Sequence, residues 1–267
     1  MKKRYPFLIS VPHGGTEVPE VVRPLLLLEQ DELCHYCDPD TRVVFGLENR
    51  VVAYIDTPIS RMVVDLNRPP LPLPLHDPDG IIKVRTIDGR DVYRYGQVPD
   101  MHLIHQLLKT HYFPFHQRID ELIDRQPVRI AFDCHSMLPF GSTFQKDAGK
   151  VRPLICLGNN GDRQGRAKKG SIATCSVEWI TTLANIFMEE FSVSKEVAIN
   201  NPFSGGFISN AHYWHKGIPW IQIEINRLLY ESDKSDSRSY REILDRSIRL
   251  REKIWNVLTS FWNEVRS

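Results

Sequence analysis

Several short motifs in this chain carry the residue types that metal-binding and acid–base chemistry need. Ser10-Val11-Pro12-His13-Gly14-Gly15 ends an apolar run with a histidine and two glycines. The glycines allow a sharp turn and leave room beside the imidazole. Asp133-Cys134-His135-Ser136 ends another run in the same style. Asp133 is suited to accept the distal N–H of His135, the contact that orients metal-binding imidazoles. Either histidine alone reads equally well as a satisfied structural residue, but two at strand ends point to a shared site. An open catalytic zinc site adds a third donor, commonly a carboxylate. Asp38-Pro39-Asp40 offers two candidates. Aspartate is also common at a helix N-cap or first turn, and a helix-like stretch follows at 41–47. Glu17, four residues after His13, competes for the same place.

Two further motifs suggest substrate binding and proton transfer. Asp65-Leu66-Asn67-Arg68-Pro69-Pro70 places an asparagine and an arginine side by side, with Arg61 a few residues earlier. An Arg–Asn pair can hold a carboxylate, the arginine bidentately and the asparagine through its amide; otherwise the arginine satisfies loop carbonyls. In the run 220–225 and just beyond it, Gln222, Glu224 and Asn226 share one face of an otherwise apolar strand. Burying a carboxylate there is costly without a partner. Glu224 is therefore either paired structurally or kept near a metal as a general base.

These residues need rigid elements to position them. Short apolar, β-branched runs at 7–11, 51–55, 61–66, 128–132, 154–157, 196–199 and 220–225 read as buried strands. Three helical stripes lie among or after them. The first holds Met101, Ile104, Leu108, Phe115, Ile119 and Leu122, with Pro114 expected to kink or break it. The second holds Val177, Ile180, Ala184, Phe187 and Phe191. The last holds Tyr240, Leu244, Ile248, Trp255, Leu258, Trp262 and Val265. Strands alternating with helices predict an α/β layered fold with a parallel or mixed central sheet. The Pro/Gly-rich stretch 69–99 and the basic, glycine-containing stretch 158–170 read as long loops, a common place for function. No repeat or linker divides the 267 residues, so one domain spanning 1–267 is expected.

Composition narrows the partners. Lys+Arg total 34 and Asp+Glu 33, a net charge of +1, which gives no general electrostatic reason to expect nucleic acid or a membrane surface. No apolar run approaches the ~20 residues of a membrane span. The five cysteines show no disulfide-framework spacing, and the lone Cys34-x-x-Cys37 pair reads as two reduced thiols. A soluble cytoplasmic protein is expected, with the oligomeric state left open.

In combination and in this order, Ser10–Gly15, Asp38/Asp40, Ser60-Arg61, Asp65–Pro70, Asp133–Ser136, 202–208 and Gln222–Arg227 resemble the N-formylglutamate amidohydrolase (deformylase) family. The resemblance runs from about Pro6 to Tyr230. It implies a three-layer α/β/α sandwich around a mixed sheet, phosphorylase/hydrolase-like and related to the zinc carboxypeptidases. It also implies one Zn²⁺ per chain on His13, His135 and an aspartate, Asp40 preferred and Asp38 the alternative, with another divalent metal possible in place of zinc. Glu224 would be the general base and Arg61 a carboxylate or oxyanion contact. Asn67 and Arg68 would grip a substrate carboxylate, and Gly205 and Gly206 would shape the pocket wall. The implied reaction is hydrolysis of N-formyl-L-glutamate to formate and L-glutamate by metal-activated water, a step of histidine degradation. The alternatives are a zinc amidohydrolase or carboxypeptidase-like enzyme for another N-acyl amino acid or peptide, and a non-catalytic carboxylate-binding protein. In the last, Cys34 or Cys37 would close the zinc shell.

Overall fold

A computed structural model describes residues 4–72, 77–231 and 240–266. Six strands form one sheet: β1 (Tyr5–Val11), β2 (Val51–Asp56), β3 (Ile130–Met137), β4 (Ile155–Gly158), β5 (Val197–Ile199) and β6 (Trp220–Asn226), in the order β2-β1-β3-β6-β4-β5. Every neighbouring pair is parallel except β4 with β6, so the sheet is mixed.

Strand alternation builds two cores. Leu8, Ala131 and Trp220 face one side, with α3 (Met101–Leu107), α4 (Phe113–Arg125) and α6 (Phe207–Lys216). Phe7, Ile9, Phe132 and Ile221 face the other, covered chiefly by α5 (Val177–Glu190) and α7 (Tyr240–Val265). Central strands buried on both faces read as near-continuous apolar runs, which is why the sequence reveals them. The result is the expected three-layer sandwich. α1 (Gln30–Tyr36) and the single turn α2 (Thr41–Val44) lie between β1 and β2 in the chain.

Three expectations change. The run 61–66 is not a strand: Val63 and Val64 donate their N–H groups to the Ser60 carbonyl, and Asp65 donates to Ile81. Met62, Val63, Val64 and Leu66 are nonetheless core residues, and an apolar run alone cannot distinguish a buried turn from a buried strand. Pro114 does not break its helix. A π-helical turn at Leu108–Tyr112 joins α3 to α4, and the proline falls in the first turn of α4, where its missing N–H is tolerated. On α7 the fully buried stripe is Leu250, Ile254, Val257, Leu258 and Phe261. Trp255, Trp262 and Val265 only flank it.

Candidate active site

The site forms at the carboxyl ends of β1 and β3 and beside β6, where open α/β sheets bind ligands. His13 lies two residues past β1, and the segment after α1 brings Asp38 under it, with the Asp38 N–H donating to the His13 carbonyl at 2.9 Å. The β3–β6 register sets His135 beside Glu224 and Asp133 beside Gln222. Among the described residues, His13, Asp38 and His135, all buried, bring one donor atom each within 4.8 Å of one another.

Each imidazole is held in the same way. His13 Nε2 lies 2.7 Å from Asp65 Oδ1, and its Nδ1 is 3.6 Å from Asp38 Oδ2. His135 Nε2 lies 3.0 Å from Asp133 Oδ2, with Nδ1 3.2 Å from the same Asp38 oxygen. Both rings thus rest their Nε2 on a carboxylate and turn Nδ1 toward Asp38, as metal-ligating histidines do. His13 Nδ1 is buried without a hydrogen-bond partner. Such an orphan is rare and costly, and a cation between the three donors would satisfy it. The residues fit a divalent metal.

Electrostatics points the same way. Burial pushes the Asp38 carboxyl up, but the adjacent imidazoles of His13 and His135 and the charge of Arg61 hold it well below the usual carboxylate range. Asp65 is also buried and is likewise held ionised by Arg61, Lys83 and His13. Asp38 and Asp65 are therefore anions at neutral pH, the form a cation site requires.

Asp40 lies outside this cluster, so the preference for it over Asp38 is reversed. It is a left-handed residue (φ 57°) at the N-cap of α2 and is only half-buried. Arg227 and Tyr230, beyond β6, fix the preceding chain instead. Arg227 donates to the carbonyls of His35 and Cys37, and the Tyr230 hydroxyl donates to Pro39. With that backbone pinned, Asp38 faces the histidines. Glu17 is exposed and its N–H donates to Pro58. Cys37 is a buried thiol donating to the Gly15 carbonyl at 2.9 Å, with burial raising its pKa to about 11. Neither Cys34 nor Cys37 is among the clustered donors.

Glu224 is buried, and its Oε1 accepts a 2.7 Å hydrogen bond from Gln222 Nε2. Burial raises its carboxyl pKa to about 7, against the opposing charge of His135. With Arg61, Arg68 and the His13/Asp38/His135 group it lines a cavity of about 640 Å³. Arg61 Nη2 donates to Asp65 at 2.9 Å, and its Nη1 is 3.8 Å from Asp38 Oδ1. Arg68 is paired with Asp79 at 2.6 Å. Segment 77–89 contributes to the wall, whereas no residue of 158–170 does; residues 73–76 of the proline-rich stretch lie outside the described residues.

Asn67 has partners that its place in the sequence does not show. Its Nδ2 donates to Asp133 Oδ2 at 3.1 Å, and its Oδ1 accepts the Ile208 N–H at 2.8 Å. Both ends of the amide are engaged within the protein, bracing the carboxylate behind His135, and Asn67 also lines the cavity. Gly206 makes this possible, because a Cβ there would lie 2.2 Å from Asn67 Nδ2. Gly206→Ala is therefore expected to destabilise the fold by ~1–3 kcal/mol, the usual cost of overpacking. An unchanged thermal midpoint would show that Asn67 can move aside. Gly205 also lines the cavity, at φ 135°. Gly15 works by a similar exclusion: its Cβ would collide with the backbone of Thr57 and Pro58. Its glycine thus serves close chain approach rather than space beside the imidazole.

Sequence reasoning missed Lys83 and the roles of Asp65 and Arg227. Lys83, one of several cations in an irregular loop, is buried on Asp65 at 2.9 Å. Arg227 follows the strand glutamate motif but acts on the backbone at the end of α1, at His35 and Cys37.

Comparison with known proteins yields consistent matches. A family model described as N-formylglutamate amidohydrolase matches residues 5–231. N-formylglutamate deformylase of Pseudomonas aeruginosa is 27% identical, with 98% of this chain and 96% of the relative covered. The enzyme of the same name from Pseudomonas putida is 26% identical over 90% of this chain and 87% of its own. The crystal structure of N-formylglutamate amidohydrolase from Ralstonia eutropha superposes with a TM-score of 0.66 at 17% identity, covering 95% of each chain. A protein of Agrobacterium tumefaciens superposes at 0.64 and 20% identity, covering 96% of this chain and 90% of its own.

Proposed function

The chain belongs to the N-formylglutamate amidohydrolase family and is an amidohydrolase, and from that premise we propose that it hydrolyses N-formyl-L-glutamate to formate and L-glutamate with one zinc ion. The observation that carries the proposal is the symmetric pair of histidines facing Asp38, each backed by a carboxylate, with Glu224 in the neighbouring register position. Imidazole and carboxylate donors suit zinc.

His13, Asp38 and His135 would hold the metal. When bound, it supplies Lewis-acid polarisation of the formyl carbonyl and makes a water acidic enough to attack near neutral pH. The remaining work belongs to the chain. Glu224 accepts the proton of the attacking water and delivers it to the leaving nitrogen, so that glutamate departs as an amine. Gln222 fixes one Glu224 oxygen, and Glu224 lines the cavity. Arg61, held by Asp65, presents a guanidinium edge where negative charge develops on the carbonyl oxygen or where a carboxylate settles. Arg68 supplies a cation for a substrate carboxylate, so that binding energy away from the bond orients the amide.

The test is formate release from N-formyl-L-glutamate by purified protein, before and after chelation and with zinc restored. Activity lost on chelation and regained with zinc is the expected result. A protein that contains zinc but releases no formate would refute the substrate, and activity indifferent to chelation would refute the metal.

A further inference from the structure

Segment 77–85 brings a second group of charges to the cavity wall, next to Arg68. Asp79 Oδ2 accepts from Arg68 Nη2 at 2.6 Å, and Asp79 Oδ1 contacts Lys83 Nζ. The three partners are unequally buried: the Lys83 side chain is 3% exposed, that of Arg68 29% and that of Asp79 55%. All three line the cavity.

We infer that Asp79 occupies the enzyme's own anion site, and that a carboxylate of the substrate displaces it from Arg68 and Lys83. This rests on the function proposed above and adds to it a residue that sets how tightly the dicarboxylate binds. The asymmetry of burial supplies the direction of exchange. Rotated away, the Asp79 carboxylate enters water and is fully hydrated, so leaving costs it no desolvation. Lys83 cannot follow, and a buried ammonium needs anionic partners. Asp65, fully buried, stays on Lys83 at 2.9 Å and is its permanent counterion. Asp79 is the exchangeable one. Its backbone is held separately: its N–H donates to Asp77 Oδ1 at 3.0 Å, and its carbonyl accepts from Arg68 Nε at 2.9 Å. The turn therefore does not depend on the Asp79 carboxylate, and a substitution there empties the site without unfolding it.

An internal competitor weakens its rival by the strength of its own interaction, and charge-assisted hydrogen bonds correspond to roughly a tenfold change in affinity. In Asp79→Asn and Asp79→Ala, KM for N-formyl-L-glutamate is expected to fall ~10-fold. N-formyl-L-glutamine keeps only the α-carboxylate and N-formyl-L-isoglutamine only the γ. The fall should follow one of the two and so identify the displacing group. Calorimetric titration of zinc-loaded protein with glutarate reads the same site without turnover, and glutarate should bind the variants ~10-fold more tightly than the parent. Unchanged or weaker glutarate binding would overturn the inference, as would a parallel KM change for both mono-amides. No formate from any substrate, with tighter glutarate binding in the variants, would leave the anion site standing and refute the proposed reaction alone.

Discussion

Replacing Glu224 by glutamine is expected to lower turnover of N-formyl-L-glutamate by ~10²–10⁴-fold while the metal stays bound. The substitution keeps the side chain's size and its place on β6, but an amide nitrogen cannot accept the proton of the attacking water. His13, Asp38 and His135 are untouched, so metal analysis should still find about one ion per chain, the stoichiometry of the proposed site. The pH dependence follows from burial. A base works only when deprotonated, and burial raises the Glu224 pKa to about 7. Below that value the carboxyl takes up a proton, and kcat/KM should fall about tenfold per pH unit. A cation held beside Glu224 favours its ionised form, so the acid limb of the holoenzyme should sit at or below pH 7. Full activity in Glu224→Gln would remove the residue from the mechanism. Loss of activity together with loss of metal would make it a ligand instead.

How much of this was legible in the sequence depends on the range of each interaction. The sheet was readable because strands buried on both faces must be apolar, and the helical stripes because one face of each packs on that sheet. His13, His135 and Glu224 were readable because polar side chains at strand ends or inside an apolar strand violate the pattern around them. The turn at 61–66 was not, since local hydrogen bonds to Ser60 replace a ladder without changing the apolar composition. The structural partners of Asn67 were hidden for a similar reason. Beside Arg68 it looks like half of a carboxylate grip, but its partners, Asp133 and Ile208, come from distant parts of the chain. Lys83 gains its meaning only when the fold carries it onto Asp65. Chemical type is local information; the partner that assigns a role is not.

The choice between the two aspartates follows from the same distinction and is open to direct measurement. Asp38→Asn is expected to weaken zinc binding at least ~10²-fold, because it removes an ionised donor from a three-residue set. Asp40→Asn should leave metal content and formate release near parental levels. The two residues flank one proline, and spacing alone does not separate them. Backbone geometry does. Arg227 and Tyr230 clamp the carbonyls of Cys37 and Pro39, while Asp40 turns away in a left-handed conformation to begin α2. Asp38 is left 3.2 Å from His135 Nδ1 and 3.6 Å from His13 Nδ1. It is also 3.7 Å from Arg227 and 3.8 Å from Arg61. Removing its charge takes away the anion that faces both imidazole Nδ1 atoms while Arg61 and Arg227 stay close by, so a cation would meet repulsion as well as a missing ligand. Metal analysis after dialysis against a weak chelator, run on both variants, decides the matter. If Asp40→Asn loses the metal and Asp38→Asn keeps it, the clamp on residues 35–39 does not hold in solution and the donor set assigned to the site is wrong.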